Sequence, residues 1–134
     1  MAARVTSPFS RTMNREQVTL TFKFDGAGDA SPTNLRGVGA ASVVYDGVAG
    51  RFVATLEDKW SAILSAKFTV LTPDNNNYYV VNLVDDSVSS VKTFAFQVCG
   101  AAYGDPPDRV SPVVGDTVCV ELTLSNTIQV PNGN

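Results

Sequence analysis

The sequence contains no histidine. That absence removes the commonest general base, the commonest zinc ligand and the usual partner of a serine or cysteine nucleophile. A Ser-His-Asp triad, a Cys-His pair and a three-histidine zinc site are excluded. Cysteine is scarce as well, since Cys99 and Cys119 are the only two. Two cysteines without histidine do not make a four-ligand structural zinc site. Charged residues are few, at 17% of the chain, which suits a surface partly covered by something other than water. No apolar run is long enough to span a bilayer as a helix. Residues 1–14 carry no hydrophobic stretch of the secretory-leader kind. An intracellular origin with free thiols is the expectation that follows.

A basic excess is also missing. Ten Lys and Arg face thirteen Asp and Glu, a net charge of -3. Nucleic-acid binders draw affinity from neutralised phosphates and released counterions, so neither nucleic acid nor a membrane is expected as partner. The charge is uneven, however. Arg4, Arg11 and Arg15 all precede the first acidic residue, Glu16. Residues 1–15 therefore read as a small cationic arm, suited to an acidic neighbour, ahead of an acidic body.

What is present is a chain of 134 residues with 44% hydrophobic content. That is enough for one packed domain and too little for two. The dominant pattern is alternation with period two, the mark of a strand with one buried face. Val18, Leu20, Phe22 and Phe24 alternate with Thr19, Thr21 and Lys23. Phe52, Ala54 and Leu56 form a second set, Phe94, Phe96 and Val98 a third, and Val118, Val120, Leu122 and Leu124 a fourth. The expected core is Phe22, Phe24, Phe52, Phe94, Phe96, Val120 and Leu122. A strand over residues 41–46 joins the Phe52 strand through Asp46-Gly47-Val48-Ala49-Gly50, glycines placed as a hairpin needs them. Residues 67–72 and 78–84 read as a further pair of strands, joined by the polar turn Pro73-Asp74-Asn75-Asn76-Asn77. Asp85 begins another turn-rich stretch.

One helical turn is expected over residues 58–65, where Trp60, Ile63 and Leu64 recur at i, i+3 and i+4. Trp60 would plug the end of a sheet. Residues 26–39 and 100–115 read as long irregular stretches, a length that in a compact domain signals function or ordering by a partner. The pattern as a whole predicts a single-domain, all-β sandwich or jelly-roll-like fold over residues 16–127, with a loose tail at 128–134.

Candidate chemistry is sparse. The doublets Asp85-Asp86 and Glu57-Asp58 are not a glycosidase pair, because adjacent residues on an extended chain point to opposite faces. Asp25-Gly26-Ala27-Gly28-Asp29 has the look of a cation loop but lacks the later ligands of an EF-hand. The glycine pairs lack the context of a phosphate loop. No enzyme activity, cofactor or metal is expected. Tyr45, Trp60, Tyr78, Tyr79 and Tyr103 could stack on sugar rings, which keeps a carbohydrate-binding module as an alternative.

The order of the motifs adds a further indication. It runs from Arg36-Gly37-Val38 to Val43-Val44. Gly50-Arg51-Phe52-Val53-Ala54-Thr55-Leu56-Glu57-Asp58-Lys59-Trp60 follows, closing on Ile63-Leu64. Lys92-Thr93-Phe94, Asp105-Pro106-Pro107-Asp108 and Leu124-Ser125-Asn126 come later. This order, over about residues 18–126, resembles a group of small β-rich structural proteins of tailed bacteriophages. The resemblance implies a virion component of the capsid decoration or cement type. Such a protein would sit on the capsid exterior, be assembled in the host cytoplasm and bridge neighbouring subunits of the major capsid protein. A homo-trimer or another symmetric homo-oligomer would be its form. A tail or neck component is the alternative within that class. The contact residues expected are Arg4, Arg11, Arg15, Arg36, Asp105, Asp108 and Arg109.

Overall fold

A computed structural model describes residues 17–73 and 76–126. The expected arm, with Arg4, Arg11 and Arg15, and the tail at 128–134 lie outside the described residues. Among the described residues nine strands follow in order: β1 Gln17–Asp25, β2 Thr33–Gly37, β3 Ala40–Tyr45, β4 Arg51–Leu56, β5 Ala62–Leu71, β6 Asn77–Ser87, β7 Thr93–Ala102, β8 Asp108–Arg109 and β9 Thr117–Ser125. They form two antiparallel sheets. One has the order β2-β1-β9-β5, the other β3-β4-β7-β6, with β8 also pairing β7. The β-sandwich expectation holds.

The core lies where the period-two residues point. Each expected core residue is buried: Phe22, Phe24 and Phe52 with Phe94, Phe96, Val120 and Leu122. β1 and β9 pair in unbroken register, Leu20 opposite Leu122 and Phe22 opposite Val120, so their apolar faces coincide. β4 sets Phe52 against Phe96 and Ala54 against Phe94 on β7. Rings close the space between the layers. Phe96 has ring neighbours on both sheets: Phe24 at 6.0 Å, Phe52 at 5.7 Å, Phe68 at 5.2 Å and Phe94 at 6.0 Å. Burial of one such side chain contributes roughly 1.5–3 kcal/mol.

The expected hairpin is β3–β4, with Val43 opposite Ala54 and Tyr45 opposite Phe52. Its last turn residue must be glycine. Gly50 has φ +77, and a Cβ there would strike the carbonyl of Val98 and the side chain of Gln97; the left-handed region and the close approach both exclude a side chain.

Four local expectations are corrected. Residues 58–65 contain no helical turn; after a bend, Ile63 and Leu64 belong to β5. The register of β5 on β9 slips between Ile63 and Ser65. The bulge inserts one residue, so two neighbouring apolar residues imitate helical spacing. Trp60 does pack against the core as expected. The second correction concerns residues 67–72 and 78–84, which are strands but not partners. β5 pairs β9 and β6 pairs β7, so the chain between them arches from one sheet to the other. Third, Asp85 and Asp86 lie in β6, beyond a second bulge between Leu83 and Asp85. Fourth, the supposedly irregular stretches hold β2 and β8.

Candidate partner-binding site

Two regions stand out: a bound-up cluster of loops, and one long open side of the sandwich. The loop cluster joins the segment after β1 to the segment before β9. Gly26 N donates to the Asp116 carbonyl at 2.9 Å and Gly28 N to the Pro112 carbonyl at 2.8 Å. The Ser111 hydroxyl donates to Asp29 Oδ1 at 2.7 Å and accepts from Gly50 N at 2.9 Å. Asp116 is buried, and its Oδ2 accepts from the Tyr79 hydroxyl at 2.8 Å and from Val113 N at 3.1 Å. Such a buried carboxylate is tolerated because its acceptors are satisfied.

Asp25 and Asp29, the acids of the candidate cation loop, are committed elsewhere. Asp25 accepts from Asn34 Nδ2 at 3.0 Å and pairs with Arg36 Nη2 at 3.2 Å. The Asn34 amide first, and then the Arg36 guanidinium, hold its carboxyl below the usual carboxylate range. The Tyr45 hydroxyl is pushed up, by burial first and by the Asp29 charge second. Among the described residues no group of three or more Cys, Asp or Glu could hold a metal ion.

The other expected contact residues are split. Arg36 lies on β2, tied to Asp25 and to the Asn34 carbonyl. Asp105 lies in the turn after β7, and Asp108 and Arg109 form β8 on the other sheet. Asp105, Asp108 and Arg109 are exposed. The tyrosines divide as well. Tyr45 rests edge-on against Phe52, and Tyr79 turns its hydroxyl to Asp116. Tyr78 and Tyr103 stack outside, ring centroids 5.6 Å apart.

The cysteines face away from one another. Cys99 pairs in register with Val80 and Arg109 on one sheet, and Cys119 with Lys23 and Thr69 on the other. Each stands on the outward side of its strand, between inward residues such as Val98 and Val118. The full thickness of the sandwich separates them, so both are free.

Sequence reasoning missed the open side. β5 and β6 end the two sheets on the same side of the sandwich. They are the longest edge strands, 10 and 11 residues. Among the described residues no strand lies beyond either of them. Leu64, Leu71, Val80, Leu83 and Val84 are all exposed there. Beneath them Phe68, Val70 and Val81 are only partly buried, although they pack on the core. Charge is limited to Lys67 on β5 and to Asp85 and Asp86 on β6. One end is clasped, since Asp86 Oδ2 accepts from Ile63 N at 3.2 Å across the two sheets. A signal was present in the run Tyr78-Tyr79-Val80-Val81, where apolar residues occupy both parities. Consecutive apolar residues in a strand mean that both faces are to be covered.

Comparison of the chain with protein-family models, curated proteins and solved structures finds no match.

Proposed function

We propose that this protein is a non-enzymatic structural subunit that binds neighbouring protein subunits through the β5–β6 side of its sandwich. The observation that carries this reading is the pair of long edge strands lying side by side, with exposed leucines and valines and few charges. Long edges invite strand addition and aggregation, and isolated domains normally shield them with charge, proline, bulges or short length. β5 and β6 carry one bulge each and Lys67, Asp85 and Asp86 between them, yet still expose five leucines and valines. An edge left in this state fits a partner that completes it. The carboxylates support the same reading. Asp25, Asp29, Asp86 and Asp116 each hold the fold together through hydrogen bonds.

The setting we propose is a bacteriophage capsid, which the protein decorates or cements as a symmetric oligomer. This part rests on the order of the sequence motifs. Mass spectrometry of purified particles tests it through copy number. On the order of hundreds of copies per particle is the expected result for a shell protein repeated by symmetry. About a dozen or fewer would place it in the tail or neck instead, and absence from the particles would overturn the virion reading.

A further inference from the structure

The outer surface of the β3-β4-β7-β6 sheet has a second feature, which begins at the edge strand β6 and runs across β7 to β8. Register places Tyr78 beside Ala101, and Val80 and Arg109 on either side of Cys99. Partners in register share a face, so these side chains all project outward with Cys99 and Ala101 between them. The central strand thus supplies a floor of small residues. Tyr78 stands along one flank and Arg109 along the other.

Tyr103 completes the arrangement. It is 68% exposed, yet its ring is stacked on Tyr78 at a tilt of 30°. Its turn is pinned on three sides. Tyr103 N donates to the Asn76 carbonyl at 2.9 Å, and Asp105 N to the Ala102 carbonyl at 3.0 Å. The Tyr78 hydroxyl donates to the Asp105 carbonyl at 2.6 Å. An aromatic ring is thereby presented to water in a preset orientation, which reduces the ordering cost of binding. Near it lies Asp105, whose carbonyl holds the Tyr78 hydroxyl, and on the far side of Cys99 stands Arg109, groups of both signs that accept and donate hydrogen bonds.

We infer that this shallow trough is a saccharide subsite. A pyranose ring has an apolar CH face and a rim of hydroxyls. The Tyr103 ring takes the face, and the Asp105 carboxylate and Arg109 guanidinium take the rim. The mixture of charges suits a neutral sugar, and the open floor suits an internal ring of a chain as well as an end. The site shares β6 with the subunit-binding side through Tyr78 and Val80 but does not rest on that role, and it limits the sugar-stacking aromatics of the sequence to Tyr78 and Tyr103.

The test is an NMR titration of the full-length, 15N-labelled protein with cellohexaose, chitohexaose and maltohexaose, each to about 10 mM, the weak end of the affinity scale. At least one saccharide should give saturable shifts at Tyr78, Ala101, Tyr103, Asp105 and Arg109. Tyr103→Ala should weaken that binding about tenfold or more with the remaining spectrum unchanged, and Tyr103→Trp should retain it. Tyr78→Phe, which frees the turn, should weaken it less than Tyr103→Ala. Leu83→Lys, on the subunit-binding side, should leave it unchanged. No shift with any of the three, or shifts that survive Tyr103→Ala, would overturn the inference. So would a response at these residues to tetramethylammonium in place of the sugars, since that would define a cation cage.

Discussion

The two sides of the sandwich solve the edge problem differently. On the β2–β3 side the strands are short, 5 and 6 residues. The chain itself crosses there between the sheets, through Val38 and Gly39. Val38 N donates to the Thr21 carbonyl, Glu57 N to the Gly39 carbonyl, and the Asp25–Arg36–Asn34 clasp braces β1 against β2. On the β5–β6 side the strands are about twice as long, and Leu64, Leu71, Val80, Leu83 and Val84 are exposed among polar residues such as Ser65, Lys67, Thr69 and Asn82. Both sides carry register shifts, and here the Asp86–Ile63 clasp holds one end while the chain passes from β5 to β6 at the other, with the exposed leucines and valines between. On the proposed reading, the short side is finished within the chain and the long side is the one a neighbouring subunit would cover.

Substitutions can break or sharpen this contrast. The largest effect belongs to the ring at the centre. Phe96→Ala should cost about 3–5 kcal/mol, the usual range for emptying a buried phenylalanine site, seen as a lowered denaturant midpoint. Phe68→Ala touches the same cluster from the open side, where its ring is only partly buried. It should cost about 1–2 kcal/mol, in proportion to the smaller area removed from water. Equal losses would mean that the open side is as closed as the centre.

Smaller effects separate the clasps. Asp86→Ala removes acceptors for the Ile63 and Val88 amides. It should cost about 1 kcal/mol by equilibrium unfolding and speed amide exchange at Ile63. On the finished side, Asp25→Asn should act through pH. The native carboxyl of Asp25 sits below its ordinary value, so its contribution is present at neutral pH and is lost as pH falls through the lowered value. Thermal unfolding of the wild type should therefore decline more steeply in acid than that of Asp25→Asn, with the two converging at the acid end. The smallest stability change is expected for Leu83→Lys, within about 0.5 kcal/mol because the position is exposed. Particle occupancy should nevertheless fall sharply for this variant, whereas Val38→Lys on the other side should leave it unchanged.

The legible part of the fold was the part with clean alternation. β1, β4, β7 and β9 have one apolar and one polar or small face, so period two marked Phe22, Phe52, Phe96 and Leu122 as core from the residues alone. Bulges hid the rest. At Leu64 the extra residue gave Trp60, Ile63 and Leu64 a helical spacing, and at Val84 it made Asp85 and Asp86 look like a turn. Strand order was illegible because β1 and β9 meet across nearly the whole chain, and local pattern holds no record of that pairing. Of the expected contact residues, Asp105 follows β7, Arg109 and Asp108 lie beside it on opposite faces of β8, and Arg36 serves the β1–β2 clasp. The tyrosine stack was out of reach, since Tyr78 and Tyr79 are equivalent in sequence until the register turns one out and the other in.

Hydrogen exchange compared between the free protein and its assembled, particle-bound form bears most directly on the central claim. The account predicts that amides of Ala62–Leu71 and Asn77–Ser87 gain protection on assembly while those of Thr33–Gly37 and Ala40–Tyr45 do not change. Protection appearing at Thr33–Tyr45 with β5 and β6 unaffected would contradict it.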